Sequence, residues 1–183
     1  MMRFIHAIWM IMFCSTTVAM AGEHLRQAPA TADPAAHYLF YMHGSFLEDH
    51  PDGASHPRSG TPYDWSGIVK SFSERGFTVI SEIRASGTDP RDYAGNIAGQ
   101  VKRLLAAGVP PKHITVAGHS KGGAITLITA AMLQNGDIKF INMAGCGNRG
   151  RFARSFRRLI GAVGADINGR LLSIYDGDDR ITG

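Results

Sequence analysis

The sequence predicts an α/β domain, a mostly parallel sheet with helices on both faces. Two observations carry this expectation. Five short runs rich in branched and aromatic residues alternate with four longer stretches whose apolar residues recur at helical spacing. A length of 183 residues, 44% hydrophobic and 19% charged, suits one core and excludes disorder as the main state. Such alternation implies parallel strands joined by right-handed crossovers, with binding groups gathered at the carboxyl ends of the strands. The 22 glycines follow no period and sit mostly at element ends, so they read as turns and close-packing points.

The chain opens with Met1-Met2-Arg3, an apolar run over residues 4–18, and the small-residue pattern Ala19-Met20-Ala21. This reads as a signal peptide over residues 1–21, and the product is expected to be secreted or periplasmic with no stable membrane span after cleavage. Cleavage removes Arg3 and Cys14, lowering the formal net charge from +4 to +3 and leaving Cys146 as a lone thiol. A single cysteine forms no internal disulfide, and Cys146 is expected to be a small buried hydrophobe. Charge this mild and this evenly spread predicts no nucleic-acid partner.

Residues 22–36, with Pro29, Pro34 and several alanines, predict a flexible leader before a domain over residues 37–183. The first predicted strand is Tyr38-Leu39-Phe40-Tyr41-Met42, running into His43-Gly44. The others cover residues 77–83, 113–117, 138–143 and 171–175, and all five read as buried. Helices are predicted over residues 65–75, 91–107, 121–134 and 151–163; in the second, Ile97, Val101, Leu104 and Leu105 share one face.

The third strand leads directly into Gly118-His119-Ser120-Lys121-Gly122-Gly123 and then an apolar helix. A G-x-S-x-G string gains meaning from that strand-to-helix setting. A serine on so sharp a turn has strained backbone angles, and its neighbours two before and two after must lack side chains; Gly118 and Gly122 meet that need. Ser120 would then project from the carboxyl edge of the sheet. The Lys121 N–H, at the helix start, is placed to stabilise a developing oxyanion.

Through the elbow GHSKGG, the earlier strand ending YMHG and the late strand LLSIYDGDDRI, the chain resembles the α/β-hydrolase superfamily of serine esterases and lipases from about residue 38 to residue 181. The resemblance implies Ser120 as nucleophile and a second oxyanion donor from the loop after YMHG, Ser45 or Phe46. It implies a triad acid in the turn after the late strand: Asp179, with Asp176 and Asp178 as competitors. His43 is expected to shape its loop by hydrogen bonding and to take no part in proton transfer.

The superfamily's order is serine, acid, histidine. All eight histidines of this sequence lie at or before His119. Set against the resemblance, the sequence reads as an incomplete α/β-hydrolase domain lacking the last strand and helix, with the catalytic histidine absent and the fragment inactive. His119, beside Ser120, is a poor candidate, because the elbow points neighbouring side chains apart.

Residues 47–53 carry metal-compatible groups with no defined ligand spacing, so a polar loop over the site is expected, and no metal or cofactor. Arg149, Arg151, Arg154, Arg157 and Arg158 accompany Phe152, Phe156, Leu159, Ile160 and Val163, an amphipathic basic helix. It reads first as a surface helix packed on the sheet, or else as a lid favouring anionic substrates. The function expected is that of an exported serine hydrolase cleaving an ester or related acyl bond of a small or lipid-like substrate. A non-catalytic binding protein on the same fold is the alternative.

Overall fold

Hydrophobic runs of strand length pair side by side into a six-stranded, wholly parallel sheet. The structure, a computed structural model, describes residues 22–55, 60, 62–147 and 150–177. The expected signal peptide, His56, Arg149, Asp178 and Asp179 lie outside the described residues.

In chain order the elements are β1 (His24–Leu25), β2 (His37–Met42), α1 (Phe46–Asp49), α2 (Trp65–Ser73), β3 (Phe77–Ile80) and α3 (Pro90–Ala106). They continue with β4 (Ile114–His119), α4 (Lys121–Leu133), β5 (Lys139–Met143), α5 (Gly150–Val163) and β6 (Arg170–Ile174). The strand order is β1-β3-β2-β4-β5-β6. From β2 to β3 the chain steps one way across the sheet, and from β3 onward it steps the other. Right-handed crossovers then put α2 on one face and α3, α4 and α5 on the opposite face. The two cores follow. Tyr38, Phe40 and Met42 of β2 pack with Ile97 and Val101 of α3 and Ile125 of α4, while Tyr41 and Val79 pack with Val69 of α2.

Two helices start at a carboxylate cap. The Asp89 carboxylate caps α3 by accepting from the N–H groups of Arg91 and Asp92, with Pro90 in the first turn. Asp64 does the same for α2 at Gly67. Helix α4 is apolar almost all round because it is buried almost all round, between the sheet and its neighbours α3 and α5. Its buried Thr126 and Thr129 hydroxyls donate back to Gly122 O and Ile125 O.

Four differences from the sequence expectations have physical causes. The segment expected as a flexible leader is docked: β1 pairs with β3, Ala28 N donates to Gln100 Oε1, Asp33 N donates to Tyr38 Oη, and Ala28, Ala32 and Ala36 pack on the core. Strand β3 stops at Ile80, where Ser81 Oγ donates to Tyr41 O and accepts from Trp65 Nε1. Residues 47–53 do not form a wholly polar loop, since Leu47 and Glu48 of α1 are buried. Strand β6, expected to be buried, is exposed along its length, because among the described residues it is the outer strand of the sheet and no helix packs closely on it. Among the described residues, no helix is long and apolar enough to cross a membrane.

Candidate active site

Strand β4 delivers Ser120 to the carboxyl edge of the sheet, and the turn into α4 is as sharp as the elbow pattern requires. Ser120 has φ 54° and ψ −115°, a left-handed φ that a side chain disfavours. Two backbone bonds hold it there: its N–H donates to Met143 O at 2.8 Å, and its carbonyl accepts from Ala124 N at 3.2 Å. The hydroxyl makes no cap bond to the helix it precedes.

The glycines around Ser120 are dictated by space. A Cβ on Gly118 would lie 2.0 Å from Gly122 O, and one on Gly122 would lie 2.1 Å from Met42 O. Both distances are far inside van der Waals contact, so strand, elbow and helix meet only because these side chains are missing. Gly123, which the sequence reasoning did not single out, is equally constrained, with Asn142 Oδ1 2.2 Å from its notional Cβ.

The loop after β2 lies against the elbow. A Cβ on Gly44 would be 3.4 Å from Ser120 Cβ and 3.1 Å from His119 Nδ1. Ser45 and Phe46 follow directly, Ser45 exposed at the start of α1 and Phe46 half-buried with its ring stacked on His50. The structure therefore brings the loop that carries Ser45 and Phe46 together with Ser120 and Lys121. Asp176 is exposed in the turn after β6, and the favoured acid Asp179 lies outside the described residues.

His43 is fully buried, with both ring nitrogens engaged: Nδ1 meets Gly44 O at 2.7 Å and Nε2 accepts from Arg84 N at 2.9 Å. Burial first, and then the Arg84 guanidinium, pull its pKa down to about 4. The imidazole is neutral near pH 7 and has no nitrogen left to take a proton from a serine. His43 shapes the loop, as its place before Gly44 suggested. His24, His37 and His113 lie on other parts of the sheet, at β1 and at the amino-terminal ends of β2 and β4.

Two features beneath the loop were not legible as site residues. Glu48, with its side chain 3% exposed, is held by Arg84 Nε on Oε1 at 3.0 Å and by Lys121 Nζ on Oε2 at 2.6 Å. Arg84, 0% exposed, also donates from Nη2 to His43 O at 2.5 Å and lies over the Tyr93 ring. Their one sequence signal was charge set beside apolar neighbours, Leu47-Glu48 and Ile83-Arg84-Ala85. The second is a phenol pair, Tyr41 Oη to Tyr63 Oη at 2.8 Å, with Tyr63 Oη 3.4 Å from His119 Nδ1. Burial raises the pKa of both phenols, so they stay protonated donors at neutral pH. Cys146 is half-buried, with Sγ 3.3 Å from Asn142 Nδ2.

A wholly parallel sheet, crossed by helices on both faces and presenting a strained serine between strand and helix at its carboxyl edge, defines an α/β protein with a strand–serine–helix elbow. No family model matches the chain, and no curated protein matches it in sequence. Among solved structures it is similar to SOBER1 of Arabidopsis thaliana at 10% identity, over 77% of this chain and 89% of that chain, with a TM-score of 0.43. It is also similar to an esterase/lipase from an uncultured bacterium at 16% identity, over 77% of this chain and 48% of that one, with a TM-score of 0.43. Dipeptidyl peptidase 4 of Porphyromonas gingivalis is matched at 16% identity, over 83% of this chain and 25% of that one, again with a TM-score of 0.43. The chain thus spans about half of the bacterial esterase/lipase and a quarter of the peptidase.

Proposed function

We propose that this chain belongs to an exported serine hydrolase that cleaves esters or related acyl bonds through an acyl-enzyme intermediate. The observation that carries the reading is Ser120 itself, kept at φ 54° by a cradle in which Gly118 and Gly122 admit no side chain. Strain of this kind persists only where the surroundings over-determine it, and a turn that lifts a hydroxyl off a sheet edge has a chemical use. In the proposed reaction Ser120 Oγ attacks the acyl carbon. The N–H of Lys121, with that of Ser45 or Phe46, stabilises the oxyanion; its collapse breaks the ester or acyl bond and expels the alcohol or amine, which takes the serine proton from the imidazole, and water then releases the acyl group. Asp179 orients the imidazole that takes the serine proton. No cofactor enters the scheme.

The test is covalent labelling with a fluorophosphonate, which reacts quickly only with an activated serine. In a form that turns over p-nitrophenyl esters, Ser120→Ala is expected to abolish labelling and turnover while the melting temperature stays within a few degrees. Half or more of the wild-type turnover surviving in that variant would overturn the assignment. The same probe locates the base. Rapid labelling of the 183-residue chain would place it among the chain's own histidines, His50 and His56 first, because His43 is committed to its loop. No labelling in any form would favour a binding role for the fold.

A further inference from the structure

We propose that Glu48 is a positioning residue, whose buried carboxylate fixes the loop after β2 against the nucleophile elbow by gripping Lys121 on one side and Arg84 on the other. The inference rests on the hydrolase reading of Ser120 and adds what makes that site work. The two donor segments come from separate strands, Gly44-Ser45-Phe46 after β2 and Lys121 after β4, and a divided oxyanion site functions only when its parts are held to within about 0.5 Å.

The loop cannot hold itself. Helix α1 is four residues long and Ser45 makes no side-chain cap, so its intrinsic helical stability is slight. Leu47 is buried and Asp49 Oδ1 accepts from Ser86 Oγ at 2.5 Å, and Glu48 adds the tie to the elbow. Lys121, the residue after Ser120, reaches Glu48 Oε2; Glu48 Oε1 takes Arg84 Nε; and Arg84 binds His43 twice, at the carbonyl and at Nε2. The chain of contacts runs from the residue after the nucleophile to the residue before Gly44. Lys121 thus serves twice, with its N–H facing the reaction and its ammonium tethering the loop. The carboxylate is 3% exposed, so water does not compete for these bonds and their geometry is fixed.

Charge and position make opposite demands, which is what makes the inference testable. Glu48, Arg84 and Lys121 sum to one positive charge. If they acted on the oxyanion through their field alone, Glu48→Gln would strengthen it and quicken reaction at Ser120, whereas Lys121→Met would slow it. If Glu48 positions the loop, both changes slow it. Lys121→Met keeps the backbone N–H and the buried Glu48–Arg84 pair, so it remains informative should Glu48→Gln fail to fold.

The experiment measures amide hydrogen exchange over residues 44–49 and the rate of fluorophosphonate labelling at Ser120 in both variants. Exchange in the loop should rise tenfold or more, on the order of one lost tether, with β2 and β4 unchanged. Labelling should fall by about tenfold to a hundredfold, the scale of a 1 Å misplacement. Lys121→Arg, which can still reach Glu48, should restore both. Unchanged loop exchange in Lys121→Met, or faster labelling in Glu48→Gln, would overturn the proposal. The labelling arm is run in a form that turns over p-nitrophenyl esters; if wild-type Ser120 is labelled in no form, the hydrolase reading falls, and loop exchange alone decides whether Glu48 holds the loop.

Discussion

Both ring nitrogens of His43 are bonded within the fold, and the consequence reaches beyond the site to the pH dependence of stability. An unfolded histidine titrates near its model value of 6.5, whereas burial and Arg84 hold the folded one at about 4. Between these values the unfolded chain binds the extra proton. The contribution of His43 to stability is therefore complete above the unfolded pKa and is lost as pH falls through the window toward 4. Denaturant titrations from neutral pH downward should show uptake of about one additional proton on unfolding in that window. His43→Asn should remove this component while lowering stability at neutral pH, and an unchanged slope in the variant would assign the effect elsewhere. The elbow glycines make a simpler prediction. Gly122→Ala forces a Cβ to 2.1 Å from Met42 O, so strand and helix must part. Urea denaturation should report a loss of about 3 kcal/mol or more, the upper range for overpacking.

The elements themselves were largely legible, because their signals are local. Helix α3 was legible from Ile97, Val101 and Leu104 on one face, all buried, with Leu105 beside them half-buried, while its start at Asp89-Pro90 was placed one residue late. Helix α5 leaves Arg151, Arg154, Arg157 and Arg158 exposed, as its periodicity required, but of the apolar residues expected on its other face only Val163 is buried; Phe156 and Leu159 are half-buried, and Phe152 and Ile160 are exposed. Short elements whose stability comes from elsewhere were not legible. Strand β1 is two residues that pair with the edge of β3, and α1 is four residues whose Leu47 and Glu48 are buried. The same reasoning separates two kinds of glycine. Gly95 of α3 is exposed, and a Cβ there meets nothing within 4 Å, so Gly95→Ala should stabilise the chain by about 0.5–1 kcal/mol in the same urea experiment. A loss of stability there would show that α3 is strained in a way its geometry does not reveal.

At the scale of the molecule, periodicity identified the strands but could not say which would be an edge, since burial depends on neighbours that no local pattern encodes. Thus β6 has the apolar composition of an interior strand and the exposure of a surface one: Leu171 is 44% exposed, Leu172 54%, Ile174 47% and Tyr175 60%. Alternation places Leu172 and Ile174 on the face carrying α2, beside the half-buried Ile141 and Met143 of β5. An apolar edge of this kind, paired on one side only among the described residues and charged only at Arg170, is a template for association. The chain is expected to self-associate as concentration rises, by light scattering, and Leu172→Lys should suppress this without lowering the melting temperature. Scattering that is independent of concentration in the unmodified chain would contradict the expectation.

The bond from Ser120 N–H to Met143 O has a dynamic meaning. Met143 ends β5, and the next residue, Ala144, donates its N–H to Ile174 O at the end of β6. The strained turn at Ser120 is thus two hydrogen bonds from the outer strand of the described sheet. Strands β2 and β4 lie inside the sheet, while β6 is its outer strand among the described residues and is exposed along its length, so fraying is expected to begin at β6 and to move inward. Each opening of that edge frees Ala144, loosens the end of β5 and relaxes a restraint that keeps Ser120 at positive φ. Whatever steadies the outer strand also steadies the serine, and a partner bound at the far margin of the sheet would be felt at the elbow with no contact to it.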